Sequence, residues 1–214
     1  MNINPKTRRL VICALFSAII LALGLPGSPL NVIGYIRLQP FSATTVHLPV
    51  IIGAILEGPV AGLILGTVFG LTSLISAITM PGDITAPAFM NPLVSVLPRM
   101  LVGLAAALIF RALARRLKGH WAVGLAAAGA SLVNTGAVFA MIYLIARFIP
   151  AIATVAASFT PILLVVLGTN AVPEALVAAA ISIPIVRAMQ PLYRGRARQQ
   201  PNANFDTQGK GDST

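Results

Sequence analysis

One arginine lies inside a long apolar stretch of this sequence. Residues 91–110 read NPLVSVLPRMLVGLAAALIF, and Arg99 is their single charged residue. About 20 apolar residues are enough to cross a bilayer as a helix. A cation near the centre of such a helix costs about 2.5–3.5 kcal/mol on insertion scales. Arg99 therefore needs a partner, and an anionic ligand is one candidate.

Two structural partners are alternatives to a ligand. Pro98 has no N–H group to donate to the helix, so a backbone carbonyl is left without its usual partner, and Arg99 could bond to it. The carboxylate of Glu174 could instead reach Arg99 from another helix. The residues alone leave these three roles of Arg99 open.

Polar residues also mark the predicted starts of three apolar helices. Helix N-termini carry partial positive charge and unpaired N–H groups, so three that converge would form a pocket for a carboxylate or phosphate. Asn134, near the middle of another helix, could reach the same pocket. Alternatively, these residues simply begin helices, and His47 makes an ordinary hydrogen bond. The candidate ligand-binding residues are Arg99, Asn91, Asn134, Asn170, Glu174, His47 and Thr45.

Composition defines the class of protein that carries these residues. The 214 residues are 57% hydrophobic and only 9% charged, with a mean hydropathy of +0.89. A soluble domain needs more charge to cover its surface, and the uninterrupted apolar runs indicate membrane-spanning helices. The sequence therefore predicts an all-α integral membrane protein.

The apolar runs predict a six-transmembrane-helix bundle. A short cytoplasmic N-terminal segment, residues 1–9, is expected before the membrane domain at 10–189, and a polar, disordered cytoplasmic tail is expected at 190–214. The first helix could alternatively be a signal peptide. The six helices are expected at about residues 10–25, 45–56, 59–78, 91–110, 121–146 and 170–189.

Three connections are long enough to need their own prediction. Residues 26–44 and 79–90 are rich in Pro, Gly and polar residues, which indicates outer loops. The stretch 147–168 is apolar but broken by Pro150 and Pro161, so it could be a loop, a re-entrant segment or a span.

The basic residues set the predicted orientation. Three lie before residue 10, four at 111–118 and five at 187–210, which is twelve of the 15 lysines and arginines. Because cytoplasmic segments of membrane proteins carry the excess of such residues, we expect both termini to be cytoplasmic. The net charge of +10 is explained by this distribution, and without any recognition motif we expect no nucleic-acid partner.

Small residues recur at every fourth position on two helices. Gly58, Gly62, Gly66 and Gly70 would let another helix approach closely. The second stripe would either pack inside the bundle or dock another membrane protein. It consists of Ala14, Ala18 and Ala22.

Motifs for catalysis are missing from the sequence. There is no G-x-x-x-x-G-K-[ST], H-E-x-x-H or G-x-S-x-G pattern, so we expect neither an ATP site in this chain nor an enzyme. The one cysteine, Cys13, lies in an apolar run, and we expect no disulfide or metal site.

Three separated blocks together resemble a known family. TVHLPVIIGAILEGPVAGLILGTVFGL, NPLVSVLPRMLVGLAAAL and GTNAVPEALVAAAI are similar to the substrate-binding S components of energy-coupling factor (ECF) vitamin transporters. The resemblance covers most of residues 10–189, with the long outer loops and the tail matched less well. It implies a six-helix bundle in a bacterial-type plasma membrane that captures a vitamin on the outer side.

The resemblance also implies partners and a substrate class. Such subunits associate with a transmembrane coupling protein and two cytoplasmic ATPases, which hydrolyse ATP, and the A-x-x-x-A pattern at Ala14 and Ala18 would contact the coupling protein. The second and third blocks look closest to the pantothenate and cobalamin branch, and Arg99 suits a small carboxylate such as pantothenate. Alternatives in other classes are a membrane assembly protein and a self-sufficient secondary carrier.

Overall fold

A computed structural model describes residues 5–38, 41–80, 85–117, 119–162, 165 and 167–194. The predicted tail is 190–214, but residues 190–194 continue the last helix, and the rest of the tail lies outside the described residues. The helices are α1 Pro5–Gly24, α2 Asn31–Gly34, α3 His47–Glu57, α4 Pro59–Thr79, α5 Ala86–Phe89, α6 Pro92–Ser95, α7 Leu97–Leu113, α8 Gly119–Ala146, α9 Pro150–Phe159 and α10 Val172–Arg194. A hairpin of β1 Tyr35–Leu38 and β2 Phe41–Thr44, a 3₁₀ turn at Thr160–Ile162 and a π-helical segment at Leu167–Ala171 complete the described elements.

The apolar helices lie where the hydrophobic runs predict them. Five described segments are long and apolar enough to cross a membrane: Thr7–Gly24, Pro59–Thr79, Pro92–Leu113, Gly119–Ala146 and Gly168–Met189. The remaining predicted span is α3, an apolar helix of 11 residues. At 1.5 Å per residue it is about 16 Å long, roughly half of the hydrocarbon thickness.

The short helix α3 forms the centre of the bundle. Every residue from His47 to Ile55 is buried, and α3 packs against α1, α4, α7, α8 and α10. Because no polar surface is needed on a helix that other helices surround, α3 is apolar all round. Its N-terminus carries His47 into the interior.

The glycine stripe of α4 is the contact surface with α7. A Cβ on Gly62 would collide with the carbonyl of Gly103, and one on Gly66 would collide with the carbonyl of Arg99. A Cβ on Gly70 would lie 2.6 Å from Cα of Val96. The close approach of the two backbones confirms the predicted packing role of these glycines.

Gly58, the first glycine of the predicted stripe, has a different role. It ends α3 with φ +92°, a left-handed conformation that favours glycine, and α4 begins at once with Pro59.

Several helix ends converge at a basic end of the bundle. Glu57, at the end of α3, forms ion pairs with two arginines. Its Oε1 lies 3.5 Å from Nη2 of Arg8, and its Oε2 lies 3.7 Å from Nε of Arg9. A Cβ on Gly58 would lie 2.9 Å from Nη2 of Arg111, near the end of α7. The N-terminal basic cluster and the start of the 111–118 cluster therefore lie at the same end, as their charge predicts.

The segments expected to be loops contain regular structure. Residues 26–44 include α2 and the antiparallel hairpin, in which Tyr35 pairs with Thr44, and residues 79–90 include α5. Side-chain and backbone hydrogen bonds hold the hairpin base, because Thr45 N donates to Gly34 O at 2.9 Å and Thr45 Oγ1 donates to Ile33 O at 2.7 Å.

The ambiguous stretch 147–168 begins as a short helix that covers one end of the bundle. Helix α9 packs on α8 and α5, and a second apolar cluster joins Ile152 and Val155 to Val94 and Ile145. After Pro150, the described exposed residues of α9 are small or polar: Ala151, Thr154, Ala157 and Ser158.

Candidate functional site

Arg99 is buried at the beginning of α7, with 5% of its surface exposed. Its Nη1 donates to the carbonyl of Val94 at 3.1 Å. In a continuous helix that carbonyl would accept from the residue four positions later, which is Pro98 and has no N–H. The Val94 carbonyl, which Pro98 leaves without a helical donor, therefore binds Arg99. This hydrogen bond involves only one of the guanidinium nitrogens.

Two aromatic rings lie beside the same guanidinium. Cζ of Arg99 lies 4.6 Å from the ring centroid of Phe89 in α5 and 5.4 Å from that of Phe69 in α4. These are cation–π distances, and such contacts gain strength where water is excluded. Nε of Arg99 is buried and has no hydrogen-bond partner.

Several buried polar atoms of the described residues lack hydrogen-bond partners. Buried donors and acceptors are paired in most structures, since an unpaired one costs several kcal/mol in an apolar interior. In the described part of the chain, the buried side-chain atoms without partners are Tyr35 Oη, both ring nitrogens of His47, Arg99 Nε, Ser131 Oγ, Asn134 Oδ1 and Ser182 Oγ.

The charge of Arg99 influences the ionisation of three titratable side chains: Tyr35, His47 and Glu174. Glu174, in the first turn of α10, does not form an ion pair with Arg99. Its Oε1 instead accepts from Thr44 N at 2.9 Å, which ties α10 to the base of the hairpin. The predicted alternative of a direct Arg99–Glu174 pair is therefore wrong.

Helix packing places Asn134 and Ser131 at the depth of Glu174. A Cβ on Gly124 of α8 would lie 3.0 Å from Cδ1 of Ile183 in α10. Helix α8 starts at the basic end, whereas α10 starts beside the hairpin, so the two are antiparallel. From the contact of Gly124 with Ile183, Asn134 along α8 and Glu174 along α10 both lie about 15 Å away in the same direction. The two side chains are therefore at the same depth in the bundle. Ser182, next to Ile183, lies in the other half of the bundle.

Tyr35 is a site residue that the sequence did not reveal. Burial raises the pKa of its phenol above the ordinary value, while the Arg99 guanidinium and the hydroxyls of Ser73 and Thr72 act in the opposite direction. The phenol is therefore a neutral hydrogen-bonding group. A lone tyrosine in an expected loop gives no signal for such a role. Ser131 could have been found, because it lies three residues before Asn134 on the same helix face.

The other predicted ligand residues have local roles or positions. Asn91 caps α6, since its Oδ1 accepts from Leu93 N at 2.9 Å, and the Thr45 hydroxyl bonds within the hairpin base. Asn170 is half-buried in the π-helical segment one turn before Glu174. Ligand contact by these three residues stays a prediction.

The alanine stripe of α1 faces away from the bundle. Ala14 and Ala18 are exposed, and Ala22 is half-buried. Large apolar neighbours on the same helix, Leu10, Val11 and Leu15, are more than half exposed. The packing alternative for this stripe is therefore wrong for Ala14 and Ala18, and their face is free to contact lipid or another protein.

Apolar helices long enough to cross a bilayer, packed around a buried arginine, define the class as a multi-pass membrane protein. The family described as "ECF transporter, substrate-specific component" matches residues 8–186. The chain belongs to this family.

Two curated relatives are similar to this chain. "Pantothenate transporter PanT" of Leuconostoc mesenteroides subsp. mesenteroides is 37% identical over 142 residues, which cover 62% of this chain and 66% of the relative, just under two thirds. "Pantothenic acid transporter PanT" of Lactococcus lactis subsp. cremoris is 29% identical over 163 residues, covering 70% of this chain and 79% of the relative.

Proposed function

We propose that this chain captures pantothenate for an ATP-driven ECF-type importer, with Arg99 binding the ligand carboxylate. The observation that carries the proposal is the buried Arg99 Nε, which has no partner although Nη1 does. A carboxylate would supply charge-assisted hydrogen bonds to this group. The names of the two relatives support pantothenate over cobalamin or another vitamin.

The remaining polar groups suit the uncharged part of such a ligand. Pantothenate also has an amide and two hydroxyl groups, which need both donors and acceptors. Tyr35, His47 and Asn134 offer unpaired atoms of both kinds, and Glu174 offers a second carboxylate oxygen. Asn91, Asn170 and Thr45 are assigned to the rim of the pocket.

The proposal includes the orientation of the chain in the membrane and its partner subunits. The chain has six membrane segments with both termini in the cytoplasm and lies in the plasma membrane of a bacterial-type cell. Ala14, Ala18 and Ala22 contact a transmembrane coupling subunit, and two ATPase subunits bound to that subunit hydrolyse ATP. The exposed alanines of α1 and the convergence of basic residues at one end support this arrangement.

A binding panel tests the proposed ligand. The full chain in nanodiscs would be titrated by calorimetry with pantothenate, with pantothenyl alcohol, which lacks the carboxylate, and with other water-soluble vitamins. We expect pantothenate to bind, the alcohol to bind at least tenfold more weakly, and the other vitamins not to bind. Binding of a different vitamin, or of none, would contradict the proposal.

A further inference from the structure

The segment before α7 supplies two contacts of the Arg99 guanidinium. Val94 supplies the carbonyl that accepts from Nη1, and Phe89 supplies the nearer of the two aromatic rings. Both groups therefore come from residues 86–95, and this segment contacts the guanidinium through a hydrogen bond and a ring.

The backbone around Phe89 is itself fixed. The Ser95 hydroxyl donates to the Phe89 carbonyl, and Phe89 N donates to Thr85 O at 3.1 Å. The ring packs against the second apolar cluster, to which Val94 of α6 and Val155 of α9 belong. Helices α5, α6 and α9 thus hold the ring in place.

On the opposite helix, Phe69 completes the contact. Its side chain is fully buried in the main core, and the glycine contacts between α4 and α7 bring its helix to the start of α7. The two rings therefore contact the guanidinium from α4 and from α5.

We infer that Phe89 and Phe69 are positioning residues that make the site selective for a carboxylate. They hold the Arg99 guanidinium in the one orientation that bonds Val94 and leaves Nε for the ligand. This inference rests on the proposed function and adds the residues that set its selectivity. Without a ring, the long arginine side chain can sample several rotamers. Carboxylate binding must then order that side chain, and the entropy cost of this ordering lowers the affinity.

The affected quantity is selectivity and not affinity in general. A carboxylate gains from a fixed guanidinium because paired, charge-assisted hydrogen bonds depend on geometry. An alcohol at the same position makes one weaker bond. Loss of a ring therefore lowers pantothenate affinity much more than pantothenyl alcohol affinity.

The first experiment compares Phe89→Leu with wild type by calorimetry, using pantothenate and pantothenyl alcohol as probes. Phe110→Leu is the matched control, because Phe110 is also half-buried and packs on the main core at the other end of α7. We expect the affinity ratio of the two ligands to fall roughly 3- to 30-fold in Phe89→Leu, and to stay unchanged in Phe110→Leu. Equal losses for both ligands, or an unchanged ratio, would overturn the inference.

The second experiment needs no ligand and separates this inference from the proposed function. The Nε–H resonance of Arg99, assigned by its absence in Arg99→Gln, is expected upfield in wild type because of ring currents, and it should return toward the ordinary arginine position in Phe89→Leu. A resonance that does not respond to Phe89→Leu overturns the positioning role whatever the ligand. If the resonance responds and wild type binds neither probe, the contact between Phe89 and the guanidinium stands and the proposed function falls.

Discussion

A missing N–H group at Pro98 determines the surroundings of Arg99. It leaves the Val94 carbonyl without its helical donor, and Nη1 of Arg99 bonds to it at 3.1 Å. This pairing was open to prediction because it follows from the positions of proline and arginine alone. The contacts of Arg99 with the aromatic rings could not be predicted, because Phe89 lies in an expected loop and Phe69 would fit any apolar helix face.

Replacing Pro98 with alanine restores the missing N–H. The Val94 carbonyl then gains a helical donor that competes with Arg99, so the guanidinium is held less firmly. We expect pantothenate affinity to fall about fivefold, in line with a net hydrogen-bond contribution of ~1 kcal/mol. Pro92→Ala is the control, because Pro92 is exposed at the N-terminus of α6, where an N–H has no helical acceptor. An identical affinity in both variants would refute the role of Pro98.

At the scale of elements, a close crossing of α4 and α7 builds the site. The glycine stripe lets the two backbones touch, and that approach brings Phe69 to Arg99. The fourfold spacing of small residues predicted a packing face, but several helices could have been its partner. Only the folded chain identifies α7, because Gly103 supplies the complementary smooth position.

The crossing can be tested by adding single methyl groups. Gly62→Ala and Gly103→Ala place a Cβ against the opposing carbonyl, so we expect each to lower the free energy of unfolding by roughly 1–3 kcal/mol. Gly136→Ala, where a Cβ meets nothing within 4 Å, should be neutral or stabilising. Thermal unfolding in detergent would measure all three. Equal melting temperatures for Gly62→Ala and Gly136→Ala would contradict the crossing as a source of stability.

Helix α1 contributes an exposed face and not a site residue. If Ala14 and Ala18 contact the coupling subunit, Ala14→Leu with Ala18→Leu should abolish co-purification of the ECF module and leave pantothenate affinity unchanged. The larger side chains would prevent the close approach of helices. Ala140→Leu with Ala180→Leu is the matched control, because both alanines are also exposed on helices. Co-purification of both variants would exclude the docking role.

For the whole molecule, hydropathy predicted the helices and the distribution of charge predicted their ends. Long apolar runs can form little else in a membrane, and the ion pairs of Glu57 with Arg8 and Arg9 join two of the predicted cytoplasmic segments. The covering elements could not be predicted in this way. Pro150 reads as a helix breaker, yet it lies in the first turn of α9, where proline is favoured.

The hairpin escaped prediction for a different reason. Its strands are only four residues long, and its base depends on distant contacts such as Thr44 N with Glu174. Tertiary context of this kind decides strand formation more than local sequence does. Tyr35 begins the first strand of this hairpin, so the position of its buried hydroxyl depends on hairpin formation.

Titration of pantothenate into wild type and Arg99→Gln, side by side in nanodiscs, tests the central claim most directly. Arg115→Gln, which removes an exposed arginine just beyond the end of α7, is the control. Thermal unfolding with size-exclusion chromatography would establish that all three proteins are folded. We predict that Arg99→Gln binds pantothenate about 10- to 100-fold more weakly than wild type, as expected for the loss of a hydrogen bond to a charged group. Arg115→Gln should bind pantothenate like wild type. Undiminished affinity in a folded Arg99→Gln protein would contradict the account.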